Sequence, residues 1–91
     1  MVKARAHLII SGRVQGVYFR LETREQATIL GLKGWVRNRS NGTVEIVAEG
    51  HRKDINRLIA WCRQGPPMAE VTGVAANWEH YTGEFAGFAI S

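Results

Sequence analysis

Two short stretches carry residue types suited to chemistry on an anion. The first is Gly12-Arg13-Val14-Gln15-Gly16-Val17, a glycine-punctuated loop that leads into Tyr18-Phe19-Arg20 at the start of a helix-like segment. Glycines at 12 and 16 let backbone N–H groups turn inward, and a helix N-terminus adds unpaired donors and a positive dipole end. Arg20 falls in the first turn of that helix, where a cation is disfavoured by about 0.3–1 kcal/mol. An anion held between Arg20 and the N–H groups removes that conflict. In the competing reading Arg20 turns sideways to Glu22, Glu25 or solvent, and the loop is only a tight turn. It is not a Walker loop, because no Gly-Lys-Ser/Thr follows. The second stretch ends on Asn38, whose amide both donates and accepts hydrogen bonds. Taken alone, Asn38 suits a strand end or turn start. Beside a bound phosphate it could instead orient a water for attack.

The groups that are missing narrow the chemistry further. Asp54 is the one aspartate, and it sits in a second helical segment, so no paired carboxylates are available for a magnesium site. His7, His51 and His80 are too widely spaced for a metal-ligand pattern and read as ordinary strand or surface histidines. Ser11 and Ser40 have no identifiable His/Asp partners. Cys62 falls on an apolar helical stripe and reads as core. Trp35, Trp61 and Trp78 lie on predicted strands and a helix, where packing is the default role. No metal and no cofactor is expected.

The elements that must position Arg20 and Asn38 follow from periodicity. Strand 1 is expected over Arg5–Ser11, with Ala6, Leu8 and Ile10 on one face, and helix 1 over Tyr18–Leu30, with Phe19, Thr23, Ala27 and Leu30 on one stripe. Trp35–Arg39 and Thr43–Glu49 form a hairpin around Ser40-Asn41-Gly42. In its second strand Val44, Ile46 and Ala48 alternate with Glu45 and Glu49, which predicts one buried and one wet face. Helix 2 spans Arg52–Gln64 and ends at Gly65-Pro66-Pro67. Val71–Trp78 and Gly87–Ser91 supply a fourth and a short fifth strand. The order β-α-β-β-α-β, with the short strand added, predicts a two-layer α+β sandwich of the ferredoxin-like kind with a mostly antiparallel sheet. The first crossover makes strands 1 and 2 run in the same direction, so the loop after strand 1 and the end of strand 2 share one edge.

Size and composition bound the rest. The 91 residues suit a single domain over 1–91, with 45% apolar residues and one cysteine that can form no internal disulfide. The longest apolar runs are far shorter than a membrane span, and Met1-Val2-Lys3-Ala4-Arg5 leads into a strand pattern with no signal-like segment. A cytoplasmic monomer with no membrane partner is expected. Twelve basic residues, nine of them Arg, stand against eight acidic ones, giving a net charge of +4. That balance suits an anionic partner such as nucleic acid, a membrane surface or a small phosphate; codon bias or a solubility-tuned surface would give it as well.

Gly12-Arg13-Val14-Gln15-Gly16-Val17-Tyr18-Phe19-Arg20 closely resembles the first signature of the acylphosphatase family. Gly34-Trp35-Val36-Arg37-Asn38, followed by Gly42-Thr43-Val44-Glu45 and Gly50, resembles the second, and the likeness spans the whole chain. The resemblance implies metal-independent hydrolysis of a small-molecule acyl phosphate, a carboxyl–phosphate mixed anhydride, to carboxylate and inorganic phosphate. Carried over by residue, it makes Arg20 the phosphate-binding arginine and Asn38 the residue that positions water. The backbone N–H groups of Gln15, Gly16, Val17, Tyr18, Phe19 and Arg20 would cradle the phosphoryl oxygens. Many members carry Thr after the Asn, where this chain has Arg39, and its C-terminal Phe88-Ala89-Ile90-Ser91 lacks the Arg or Tyr often found there.

Two other readings remain. A catalytically silent relative would keep the anion loop without turnover. An RNA-binding α+β module would share the fold and the basic charge, but such modules expose aromatics on their central strands. Here Val44-Glu45-Ile46-Val47-Ala48-Glu49 puts carboxylates where bases would stack, so no nucleic-acid partner is expected.

Overall fold

Alternation of small and branched apolar residues builds five strands and packs two amphipathic helices on them. The computed structural model describes residues 2–91. In chain order the elements are β1 (Lys3–Arg13), α1 (Phe19–Ile29), β2 (Lys33–Asn38), β3 (Val44–His51), α2 (Arg52–Gln64), β4 (Glu70–Glu79) and β5 (Phe88–Ile90). The sheet order is β4-β1-β3-β2-β5. Every pairing is antiparallel except β2 with β5. Both β1 and β2 are antiparallel to β3, so they run the same way, and Arg13 and Asn38 finish at the same edge of the sheet. This is the ferredoxin-like α+β sandwich with a fifth strand added beyond β2.

Register places one residue set against the helices. Leu8 lies opposite Ile46 and Ile10 opposite Val44, and these join Phe19, Ala27, Ile55, Leu58 and Cys62 in the buried core. Phe19 and Trp61 meet with ring centroids 5.4 Å apart, tying α1 to α2. Trp78 is not core; it is 38% exposed, with the Arg52 guanidinium 4.1 Å above its ring. Cys62 is fully buried, and burial pushes its thiol up to about 12.

The second face of β3 is not wet, contrary to the alternation of carboxylates along it. Val47 lies between His7 and Trp35 in register and is buried. Glu49 is only 3% exposed, because the segment after β4 folds over it. Its carboxylate accepts from the Thr82 N–H at 2.8 Å, the Thr82 hydroxyl at 3.0 Å, the Gly83 N–H at 3.0 Å and Arg5 at 3.3 Å. Glu45 accepts from Arg37 at 2.6 Å and shares a 2.6 Å hydrogen bond with His7. Sequence alternation identifies the face correctly but cannot show that a distant segment supplies hydrogen-bond donors to cover it.

These two carboxylates make the fold acid-sensitive. Burial alone would raise the Glu49 carboxyl, but the Thr82, Arg5 and Gly83 donors outweigh it and hold the group below its ordinary 4.5. The hydrogen bond to His7 does most to lower Glu45; burial opposes it and Arg37 assists. Both groups therefore stay ionised in the folded state to lower pH than in the unfolded chain. Their contribution is complete above roughly pH 4.5, the unfolded value, and disappears as pH falls through the folded values. The melting temperature should hold steady from neutrality to about pH 5 and then drop. Glu49→Ala should cost at least about 2 kcal/mol by removing the charge-assisted hydrogen bonds from Thr82, Gly83 and Arg5, a fall in Tm of roughly 8 °C or more for a domain of this size. Thermal unfolding across a pH series checks both.

Candidate active site

The loop between β1 and α1 is shaped by a reversal of backbone hand at every second residue. Gly16 has φ 74° and Tyr18 has φ 64°, whereas Gln15, Val17 and Phe19 are not in the positive-φ region. Such alternation turns successive N–H groups toward one side and forms an anion-binding concavity. Tyr18 is the only non-glycine residue with positive φ among those described, and a bulky side chain held there costs on the order of 1–3 kcal/mol. It is also the N-cap of α1 and makes no side-chain cap. Among the described residues, the backbone N–H groups of residues 15–20 donate to no protein acceptor. Six consecutive uncompensated donors at a helix N-terminus form a concentrated positive site.

Gly12 does not belong to this cradle. It lies within β1, at an irregularity in the pairing with β4, and a Cβ there would sit 2.0 Å from the Glu70 carbonyl oxygen. Its glycine is required by that close approach, with φ 118°. At Gly16 nothing lies within 4 Å of an added Cβ, so its requirement is purely the left-handed turn.

Arg20 lies one residue inside α1, half-buried, and forms no ion pair or side-chain hydrogen bond among the described residues. Glu22 and Glu25 do not engage it. Asn38 ends β2 opposite Val44, and its Oδ1 is buried with no protein donor. A buried acceptor left without a partner costs about 1–3 kcal/mol, so it marks a place where a donor belongs. Arg20 and Asn38 line the same cavity of about 370 Å³, together with Val14, Gly16, Tyr18, Phe19, Leu21 and Ile90.

Five of the residues expected from sequence thus meet at one mouth: Gly16, Tyr18, Phe19, Arg20 and Asn38. The other two do not line it. Val17 packs its side chain into the core, and the Gln15 side chain turns away to the β2–β3 turn. Ile90 was not anticipated there. It reaches the mouth because β5 pairs in parallel with β2, setting Ile90 against Val36; the available signal was the shared direction of Phe88 and Ile90. Asp54 lines a separate cavity with Lys3, Lys33 and His51, at the starts of β1, β2 and α2 and so at the far edge of the sheet. Among the described residues no group of three His, Cys, Asp or Glu side chains is placed to hold a metal ion.

The chain is similar to known proteins over nearly its whole length. A family model described as Acylphosphatase matches residues 6–90. An acylphosphatase of Pelotomaculum thermopropionicum is 59% identical over 91 residues, covering 100% of this chain and 99% of the relative. A solved acylphosphatase from Coxiella burnetii has a TM-score of 0.93 at 39% identity, covering 98% of this chain and 93% of that one. The Bacillus subtilis structure gives 0.93 at 33% identity, with 97% and 98% covered.

Proposed function

The chain belongs to the acylphosphatase family, and from that membership we propose that Arg20, Asn38 and the N–H groups of residues 15–20 carry out its reaction. The enzyme hydrolyses acyl phosphates, mixed anhydrides of a carboxylic acid and phosphoric acid. The phosphoryl group sits in the cradle, its oxygens accepting from the loop N–H groups and from the Arg20 guanidinium. The Asn38 amide holds a water by hydrogen bonding and turns the water's lone pair toward phosphorus. Asn38 lines the same cavity as Arg20 and carries a buried Oδ1 without a protein donor, and this is the observation that carries the reading.

The chemistry needs little else. Phosphoryl transfer passes through a loose transition state whose charge spreads over three equatorial oxygens, and fixed donors there stabilise it. The leaving carboxylate has a conjugate-acid pKa of about 4, as for an ordinary carboxyl, so it departs without a general acid. Asn38 is neutral and cannot take a proton; the water's proton passes to a phosphoryl oxygen. The P–O bond to the acyl oxygen breaks as the bond to water oxygen forms, releasing carboxylate and inorganic phosphate. An alcohol leaving group would need a proton donor. Only Tyr18 among the lining side chains carries a hydroxyl, and it is an aromatic one on the rim.

We infer a single domain over 1–91 working as a cytoplasmic monomer; no helix among the described residues is long and apolar enough to cross a membrane. The test is hydrolysis of an aryl acyl phosphate with EDTA present, alongside a phosphate monoester. Rapid turnover of the anhydride, unaffected by EDTA and competitively inhibited by phosphate, is expected, with the ester barely cleaved. Comparable rates on both substrates would overturn the mechanism. No turnover by folded protein would leave an anion-binding relative.

A further inference from the structure

The cradle and the water-positioning residue stand on separate pieces of chain. Arg20 and the donor N–H groups follow β1, whereas Asn38 ends β2 and leads into the turn of residues 39–43. That turn is closed by its own bonds: Arg39 N–H donates to Thr43 O at 2.9 Å and Gly42 N–H to Arg39 O at 3.2 Å. Asn41 Oδ1 adds to it by accepting from the Thr43 N–H at 3.1 Å and the Thr43 hydroxyl at 2.6 Å. The turn is therefore a rigid cap joined directly to Asn38.

One side chain connects the two pieces. The Gln15 amide nitrogen donates to Arg39 O at 2.8 Å and to Thr43 O at 2.9 Å. Both of its hydrogens are used, each on a carbonyl at one end of the turn. Among the described residues these are the only hydrogen bonds between the 14–18 loop and the turn. Two carbonyl acceptors fix the amide's orientation, since only its NH2 can donate.

We propose that the Gln15 side chain is a positioning residue that sets the distance between the phosphate cradle and Asn38, and so aims the water at phosphorus. The proposal rests on the roles given above to Arg20 and Asn38. Its consequence is a separation of binding from turnover. Cutting the tether leaves the loop N–H groups and Arg20 able to hold phosphate, while Asn38 is no longer held at the attack distance. Misplacement of a reacting group by about 1 Å costs on the order of 10²-fold in rate.

Gln15→Met keeps the length and removes both donors; Gln15→Glu keeps the shape but sets a carboxylate against two carbonyls. Both should lower kcat about 10- to 100-fold, in keeping with that misplacement cost, with the inhibition constant for phosphate almost unchanged. Gln15→Lys, whose ammonium can donate to both carbonyls, should recover much of the loss. The deciding measurement is Gln15→Met in an Asn38→Ala background, with thermal unfolding to confirm that each variant is folded. If Gln15 acts through Asn38, removing it after Asn38 is gone should change kcat little. An equal loss in both backgrounds, or an unchanged kcat in Gln15→Met alone, would overturn the proposal. Full activity in Asn38→Ala would instead overturn the role of Asn38 on which it stands.

Discussion

Arg20→Gln should reduce kcat/KM for an acyl phosphate by at least about 10²–10³-fold, the usual loss when one preorganised donor to a developing oxyanion is removed. Inhibition by inorganic phosphate should weaken in parallel, because in the proposed mechanism the same guanidinium binds substrate and product. Arg20→Lys should recover only part of the activity, since a point ammonium lacks the planar fork that matches two phosphoryl oxygens. Stability should move the other way. Arg20 has no ion pair among the described residues and sits in the first turn of α1. Neutralising it removes a repulsion with the helix dipole of about 0.3–1 kcal/mol, so Tm in phosphate-free buffer should stay level or rise slightly. Phosphate should raise the Tm of the wild type by mass action and leave that of Arg20→Gln nearly unmoved. A variant that lost both activity and several degrees of Tm would mean that Arg20 holds the fold rather than the substrate.

Asn38→Ala should lower kcat by about 10²–10³-fold, taking the loss of one oriented transition-state contact as the guide. Here the inhibition constant for phosphate should stay close to that of the wild type. On the proposed roles the two variants should separate the halves of the site, with Arg20→Gln affecting binding and turnover and Asn38→Ala turnover alone. Asn38→Asp is a sharper probe. It keeps the acceptor oxygen but adds a negative charge beside a dianionic phosphoryl group, so both kcat and phosphate affinity should fall. Full turnover in Asn38→Asp would mean that a base, and not a neutral aligner, serves the reaction at this position. Steady-state kinetics with phosphate inhibition, on all of these variants, reads the outcomes.

How far the site could be read from sequence depended on whether its parts were local. The second helix was legible to both ends, because Ile55, Leu58, Ile59 and Cys62 repeat at helical spacing and Gly65-Pro66-Pro67 stops it. Arg20 and Asn38 were legible by residue type, and the β-α-β crossover was enough to bring them to one edge. The first helix begins a residue later than its periodicity implies, since Tyr18 is held at φ 64° and is the N-cap. Periodicity has no term for a strained bulky residue that turns an N–H group. Gly12 reads from sequence as a turn glycine of the anion loop because glycine marks a turn and a tight strand contact alike, and only the nearness of Glu70 tells them apart. The burial of Glu49 and the arrival of Ile90 at the mouth both depend on the chain after β4. Long-range closure of that kind leaves no periodic trace.

In the proposed mechanism water attacks phosphorus inside the cradle, not the acyl carbon outside it. Turnover of an acyl phosphate in water labelled with heavy oxygen, followed by mass analysis of both products, tests this directly. Attack at phosphorus puts the label in inorganic phosphate and leaves the carboxylate unlabelled, which is the expected result. Label in the carboxylate would mean that the acyl carbon is the electrophile, and that Arg20, Asn38 and the loop amides do not perform the chemistry assigned to them.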